Sequence, residues 1–379
     1  MTMSQGFVIG RVLAQRLDIP FSQPIRMSFG TLDRLNLLLV RLIDENGIEG
    51  VGEATVMGGP YWGGESIEAV EAAVVKYLGP QLIGQRFRGL EEFSYRLSKT
   101  VKGNAAARSA LEMAAFDLVG KQLGVSASAL LGGRCRDRLQ VAWTLSTGSE
   151  GGDIAEGERA IQARGHTRFK LKFGSGDPDA ELLRVAGIAE AFRGRASIIL
   201  DINQGWDLGT ALRYFPVLEE AGVECIEQPL AALDLHGAAR LKASTSMEII
   251  ADEVLTDLRS AFEVATANAA SAVSLKPNRD GGMLAAKRVA TVASASGLKI
   301  YGGTALESSL GTAASALIYA SLPSLQLGTE LFGPLRLQAD IVKAPLLPID
   351  GHLDVPTGEG LGVVLDEDLI RSLSVDVLH

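Results

Sequence analysis

The sequence predicts an α/β fold, a TIM-type (β/α)8 barrel preceded by a smaller α+β domain, on three observations. Lys172, Asp201, Glu227, Asp252 and Lys276 succeed one another after 29, 26, 25 and 24 residues, which is one strand, one helix and two loops per step. The last four each close a short apolar run, at Ser197–Leu200, Val223–Ile226, Ile249–Ala251 and Ala272–Leu275. Such runs, bounded by polar residues, read as buried parallel strands. Finally, 379 residues at 47% hydrophobic and 21% charged content suffice for a barrel of roughly 250 residues and a second domain.

In chain order, Gly6–Leu17 and Leu35–Ile43 have strand composition, and the second leads through Asp44–Gly47 to a short run near Val51, as a hairpin would. Ser66–Leu78, Leu90–Leu97 and Ala105–Leu123 carry helical periodicity, the last rich enough in alanine for close packing. Two segments of this α+β region, Phe21–Thr31 and the glycine-rich Thr55–Glu65 with Tyr61 and Trp62 at its centre, read either as covers over a site or as plain surface turns.

After Leu130–Gly133, eight strand candidates follow: Gln140–Leu145, Arg168–Phe173, Ser197–Ile202, Val223–Glu227, Ile249–Asp252, Ala272–Lys276, Leu298–Tyr301 and Leu325–Thr329. Amphipathic stretches such as Ala180–Phe192, Leu208–Ala221 and Met283–Ser296 separate them, and eight strands close a barrel. The seventh runs into the small-residue loop Gly302–Ser309, whose backbone N–H groups are expected to be open to a carboxylate.

At the carboxyl ends of barrel strands these charges share one mouth, the end that serves chemistry. Side-chain alternation turns Lys170 and Lys172 inward and Phe169, Leu171 and Phe173 outward, and by the same count Asp201, Asn203, Glu227 and Lys276 point inward. Three inward carboxylates, Asp201, Glu227 and Asp252, repel one another unless a cation intervenes, so a hard divalent ion, Mg2+ or Mn2+, is expected there. Zinc is disfavoured, since none of the four histidines ends a strand. The plainer alternatives are helix N-caps for the acids and an edge strand for the lysines. Lys172, beside Lys170 and near a metal, is expected to have its ammonium disfavoured, as suits an acid/base group tuned by its neighbour.

A net charge of −9 and a pI near 5.2 argue against nucleic acid or an anionic membrane as partner. No apolar span approaches the ~20 residues of a membrane helix, the N-terminus has no signal-peptide pattern, and two isolated cysteines fit a reducing, cytoplasmic setting. Phosphate-loop, GxSxG and Cys/His nucleophile patterns are absent. What remains is proton transfer next to a carboxylate.

The pair Lys170/Lys172, Asp201-x-Asn203, Glu227-Gln-Pro229, Asp252-Glu253 and Lys276 resemble the enolase superfamily, in particular its muconate lactonizing enzyme subgroup and, within that, the muconate cycloisomerases. The likeness covers nearly the whole chain through Gly52–Thr55, Ala142–Leu145, Tyr301–Thr304 and Gly328–Pro334, the last two being the more specific. It implies an α+β capping domain at residues 1–130, a modified (β/α)7β barrel at 131–335 and a segment 336–379 returning to the cap. It further implies Mn2+ or Mg2+ at Asp201, Glu227 and Asp252, and conversion of cis,cis-muconate to muconolactone in the catechol branch of aromatic catabolism. By the same likeness Lys172 protonates the enolate, with Lys170 beside it, Lys276 opposite and Glu330 and Asn203 lining the site. Tyr61, Trp62, Gly303, Thr304 and Phe332 become contacts to a small dicarboxylate, and the chain a homo-oligomer, an octamer being one closed arrangement. Pro277-Asn-Arg279 and Trp62 depart from the subgroup's usual residues. The alternatives are a chloromuconate cycloisomerase, a dipeptide epimerase, an N-acylamino acid racemase, an o-succinylbenzoate synthase or a non-catalytic carboxylate-binding barrel. Gly328, where epimerases of the subgroup carry the first acid of an Asp-x-Asp pair, weighs against the epimerase.

Overall fold

The computed structural model describes residues 6–27, 30–61, 63–174 and 176–375. A long hairpin of β1 (Phe7–Met27) and β2 (Gly30–Asp44) joins β3 (Glu49–Thr55) and the short β4 (Arg86–Phe87) in an antiparallel sheet of order β3-β2-β1-β4. Asp44 shapes the β2–β3 turn by accepting from Asn46 N and Ile48 N, each at 2.8 Å. Leu38, Val40 and Ala54 of the sheet bury against Ala107, Ala110, Leu111 and Ala114 of helix Ala105–Leu123, whose small side chains let helix and sheet approach closely. The described residues of Phe21–Thr31 belong to strands β1 and β2 rather than to a loop. Beyond a register shift after Pro20, Ile25 pairs with Leu32, so the two arms satisfy each other's backbone groups to the end of the hairpin.

The barrel strands are β6 (Trp143–Leu145), β7 (Arg168–Lys172), β8 (Ser197–Asp201), β9 (Cys225–Glu227), β10 (Glu248–Ala251), β11 (Ala272–Leu275) and β12 (Lys299–Gly302), all parallel and in sequential order. The expected first strand, Gln140–Leu145, is divided. Its beginning, β5 (Arg138–Gln140), pairs antiparallel with β13 (His352–Asp354) before Ala142 N turns to Thr329 O at 2.7 Å. The expected eighth strand, Leu325–Thr329, is no regular strand, because Gly328 at φ +69° leaves the extended region. It closes the barrel all the same: Leu327 N bonds Ile300 O at 3.1 Å, Gly302 N bonds Gly328 O at 2.9 Å, and Thr329 N bonds Gln140 O at 2.8 Å.

Ile199, Cys225, Ile250, Ala272, Tyr301 and Leu327 fill the barrel interior. Phe169, Leu171 and Phe173 face the other way and pack on Val185, Ile188 and Phe192 of helix Pro178–Phe192, as the period of two predicts. Past the barrel the chain runs back to the hairpin, where Leu337 bridges Phe21, Ser374 bridges Leu17 and Arg41 pairs with Glu367 at 2.9 Å. Among the described residues no helix is long and apolar enough to cross a membrane.

Candidate active site

The parallel register sets the mouth. Lys172 pairs with Asp201 and Asp201 with Glu227 along β7, β8 and β9, so consecutive strand ends deliver their side chains at one level. Asp252 and Lys276 follow directly on β10 and β11. The backbone there is forced: Asn203 and Gln228 hold φ +45° and +36°, values that cost a non-glycine residue energy and recur at functional sites. Gln228 braces the bend, its side-chain oxygen accepting from Asp252 N at 2.9 Å.

Lys170, Lys172, Asp201, Asn203, Lys276, Thr304, Glu330 and Phe332 line one cavity. Lys170 lies deepest, with Nζ 3.1 Å from Asp201, 2.9 Å from Glu227 and 2.8 Å from Glu330. Lys172 donates to Asp201 at 2.7 Å and to Asn203 Oδ1 at 2.9 Å. Half-way round the barrel, Lys276 donates to Asp252 at 2.6 Å. Gly303 makes room for it, since a Cβ there would meet Lys276 Cε at 2.8 Å. Glu330 also accepts from Tyr301 OH at 3.2 Å and Thr304 N at 3.3 Å.

Burial disfavours the Lys170 ammonium, but Asp201, Glu227 and Glu330 outweigh burial and raise its pKa well above the usual lysine range. Lys276 is likewise raised, by Asp252 and Glu227 against burial. Carboxylates rather than cations are the nearest neighbours of these two amines. Asp201, despite burial, is brought to about 2 by Lys170 and Lys172, and Asp252 is lowered by Lys276 and Arg279. Glu227 is pushed well up by burial and by Asp201, Asp252 and Glu330, which Lys170 only partly offsets.

The donor set fits a hard divalent ion. Glu227 is fully buried and neither carboxylate oxygen has a hydrogen bond; the Lys170 ammonium lies 2.9 Å from one of them without hydrogen-bond alignment. Among the described residues no three His, Cys, Asp or Glu side chains gather into a ready-made metal cage. Ammonium groups stand between the acids, and Arg279 holds the second oxygen of Asp252 and, at 2.9 Å, its carbonyl.

Two sequence expectations are corrected here. The Gly302–Ser309 loop has no open anion site: Ser308 N donates to Glu53 at 2.9 Å, Ser309 N to Asp340 at 3.1 Å and Ala305 N to Glu307 at 2.9 Å, so internal carboxylates fill it. Tyr61 is 82% exposed and does not line the cavity; Met57 from the same segment does, with Ile25 from the hairpin and Leu306. Trp62 lies outside the described residues. Arg336, also in the wall, went unnoticed in the sequence. A lone basic residue just past Gly328–Pro334, it sits on a four-residue helix, Gly333–Arg336, with no period to mark it.

Residues 153–369 match the family described as enolase C-terminal domain-like, and residues 12–132 the mandelate racemase / muconate lactonizing enzyme N-terminal domain. A muconate cycloisomerase of Acinetobacter lwoffii is 41% identical, over 98% of this chain and 97% of the relative. A chloromuconate cycloisomerase of Cupriavidus necator is 40% identical, over 94% and 96%. The crystal structure of the muconate lactonizing enzyme from Pseudomonas fluorescens complexed with muconolactone superposes with a TM-score of 0.95 at 39% identity, covering 98% of this chain and all of that one.

Proposed function

Because the chain belongs to the mandelate racemase / muconate lactonizing enzyme family of the enolase superfamily, we propose that it is a cycloisomerase converting cis,cis-muconate to muconolactone. The observation that carries this reading is the placement of Lys172 and Lys276 on opposite sides of a mouth ringed by Asp201, Glu227 and Asp252. An amine on either side of a carboxylate's α-carbon can move a proton there.

Asp201, Glu227 and Asp252 would hold Mn2+ or Mg2+, which when bound supplies positive charge to the carboxylate that accepts electrons. One substrate carboxylate oxygen forms a C–O bond across the ring-closing double bond, whose π pair moves towards the other carboxylate. Lys172, steadied by Asn203 Oδ1 at 2.9 Å, then gives its proton to the carbon that gained the pair. A C–O and a C–H bond replace one π bond, nothing leaves, and solvent restores the proton to Lys172. Lys170 keeps Glu330 and Asp201 anchored, while Gly303, Thr304 and Phe332 shape the space that positions the substrate.

Loss of the conjugated-diene absorbance of cis,cis-muconate on adding protein and Mn2+ is the expected result. Because relatives named for chloromuconate match equally well, 2-chloromuconate is the second substrate to run. No loss with either, or faster α-proton exchange with L-Ala-L-Glu in D2O, would overturn the reading.

A further inference from the structure

Among the described residues, four cations line the cavity: Lys170, Lys172, Lys276 and Arg336. The three lysines are tied to acids of the mouth at 2.6 to 3.1 Å. Arg336 stands apart from that cluster. Its Nη2 donates to Thr144 O at 2.7 Å, and Glu156 Oε1 lies 3.5 Å away, at the outer limit of a hydrogen bond. Glu156 Oε1 is already engaged at 3.0 Å by Trp143 Nε1. Among the described residues, Nε and Nη1 of Arg336 have no acceptor.

The side chain is nevertheless only 14% exposed, its guanidinium carbon 4.2 Å over the Trp143 ring and 5.6 Å from the Phe332 ring. Its pKa is lowered, because Glu156 does not make up for burial, the reverse of what carboxylates do at Lys170 and Lys276. A largely buried, incompletely paired guanidinium held against two contacting rings is preorganised for a carboxylate, which it grips with two parallel N–H groups.

We propose that Arg336 receives the second carboxylate of a dicarboxylate substrate, the one not seated at the acid and lysine cluster, and so selects dianions over monoanions. This rests on the reading of the cavity as the substrate site. The alternative is a purely structural clamp between Thr144 and Glu156.

The test is calorimetric binding of adipate and of adipate monomethyl ester to the Mn2+-supplemented protein, beside kcat and KM for cis,cis-muconate. Wild type should prefer the diacid. Arg336→Leu should weaken diacid binding about 10- to 100-fold, the worth of a charge-assisted hydrogen-bond pair, and shift the monoester within about twofold. Arg336→Gln, which keeps a donor for Thr144 O without the charge, should behave alike and serves if the leucine variant does not fold. Equal weakening of diacid and monoester, no weakening of either, or a wild type without diacid preference would overturn the proposal. Failure of wild type to turn over muconate, with the Arg336-dependent preference intact, would instead sink the substrate reading and leave Arg336 as a dicarboxylate receptor.

Discussion

Asp201, Glu227, Asp252 and Glu330 at the barrel mouth are buried to the same depth as Glu53, Glu307 and Asp340, which meet where β3 faces the start of helix Ser309–Ser321. Their neighbours differ. At the mouth, ammonium and guanidinium groups hold Asp201 and Asp252 below the ordinary carboxylate range. At the seam, hydroxyls and backbone N–H groups are the partners: Glu53 bonds Ser308, Glu307 bonds Thr304 and Asp340 bonds Ser309. Burial there raises all three, Glu53 to about 8. Depth alone therefore does not mark a reactive acid; charge compensation does. The mouth sets cations against most of its acids, Glu227 being the one pushed up, whereas the seam meets burial with hydrogen bonds that join two layers of the fold.

The sharpest way to break the contrast is to remove a mouth cation in contact with substrate. Lys172→Ala should reduce turnover of cis,cis-muconate by roughly 10²–10⁴-fold with the fold unchanged by circular dichroism. A variant with near-normal rate and the opposite face of protonation would transfer the donor role to Lys276.

Removing the structural cation tests the same contrast through stability. Lys170→Met leaves Asp201, Glu227 and Glu330 facing one another without their shared partner, and breaking a buried ion pair from one side costs about 3–5 kcal/mol. Urea unfolding at pH 7 without added metal should show that loss. A loss under about 1 kcal/mol would mean that the acids of the mouth protonate cheaply once Lys170 is gone.

The two clusters also differ in how far the sequence discloses them. Lys172, Asp201, Glu227, Asp252 and Lys276 end or directly follow strands of a repeating unit, so the period from Lys172 to Lys276 and the alternation in Phe169–Phe173 lead to the lysines and the three acids directly, while Glu330, outside that period, comes only from the family likeness. Glu53, Glu307 and Asp340 share no period and come together only because β3 packs on the helix that follows β12. Their partnership with the Gly302–Ser309 loop is also why that loop, readable as an anion site from its composition, is already filled. Arg279 stands at a strand end like the lysines, but its grip on Asp252 depends on the short turn Pro277–Asp280 folding back, which spacing does not encode. The irregular closing segment follows the same logic: its apolar run is legible, while the positive φ of Gly328, which lies against Gln140, is a matter of tertiary packing.

The effect expected at the seam has a definite sign. Glu53 has an ordinary pKa of 4.5, raised to about 8 in the fold by burial and by Glu307 and Asp340, with Ser308 opposing. The folded chain thus binds the Glu53 proton more tightly than the unfolded chain. Its contribution is fully present below pH 4.5 and is lost as the pH rises towards 8. Glu53→Gln replaces the protonated acid with a neutral group that can still accept from Ser308 N and donate to Ser308 Oγ, so little is lost at low pH. At pH 8.5 the variant should be more stable than wild type by up to about 4–5 kcal/mol, the worth of a shift from 4.5 to about 8, and at pH 5 the gap should fall below about 1 kcal/mol. Denaturant unfolding of both proteins across that window checks it. Parallel stability curves would show that Glu53 is ionised throughout, and that the seam holds charge after all.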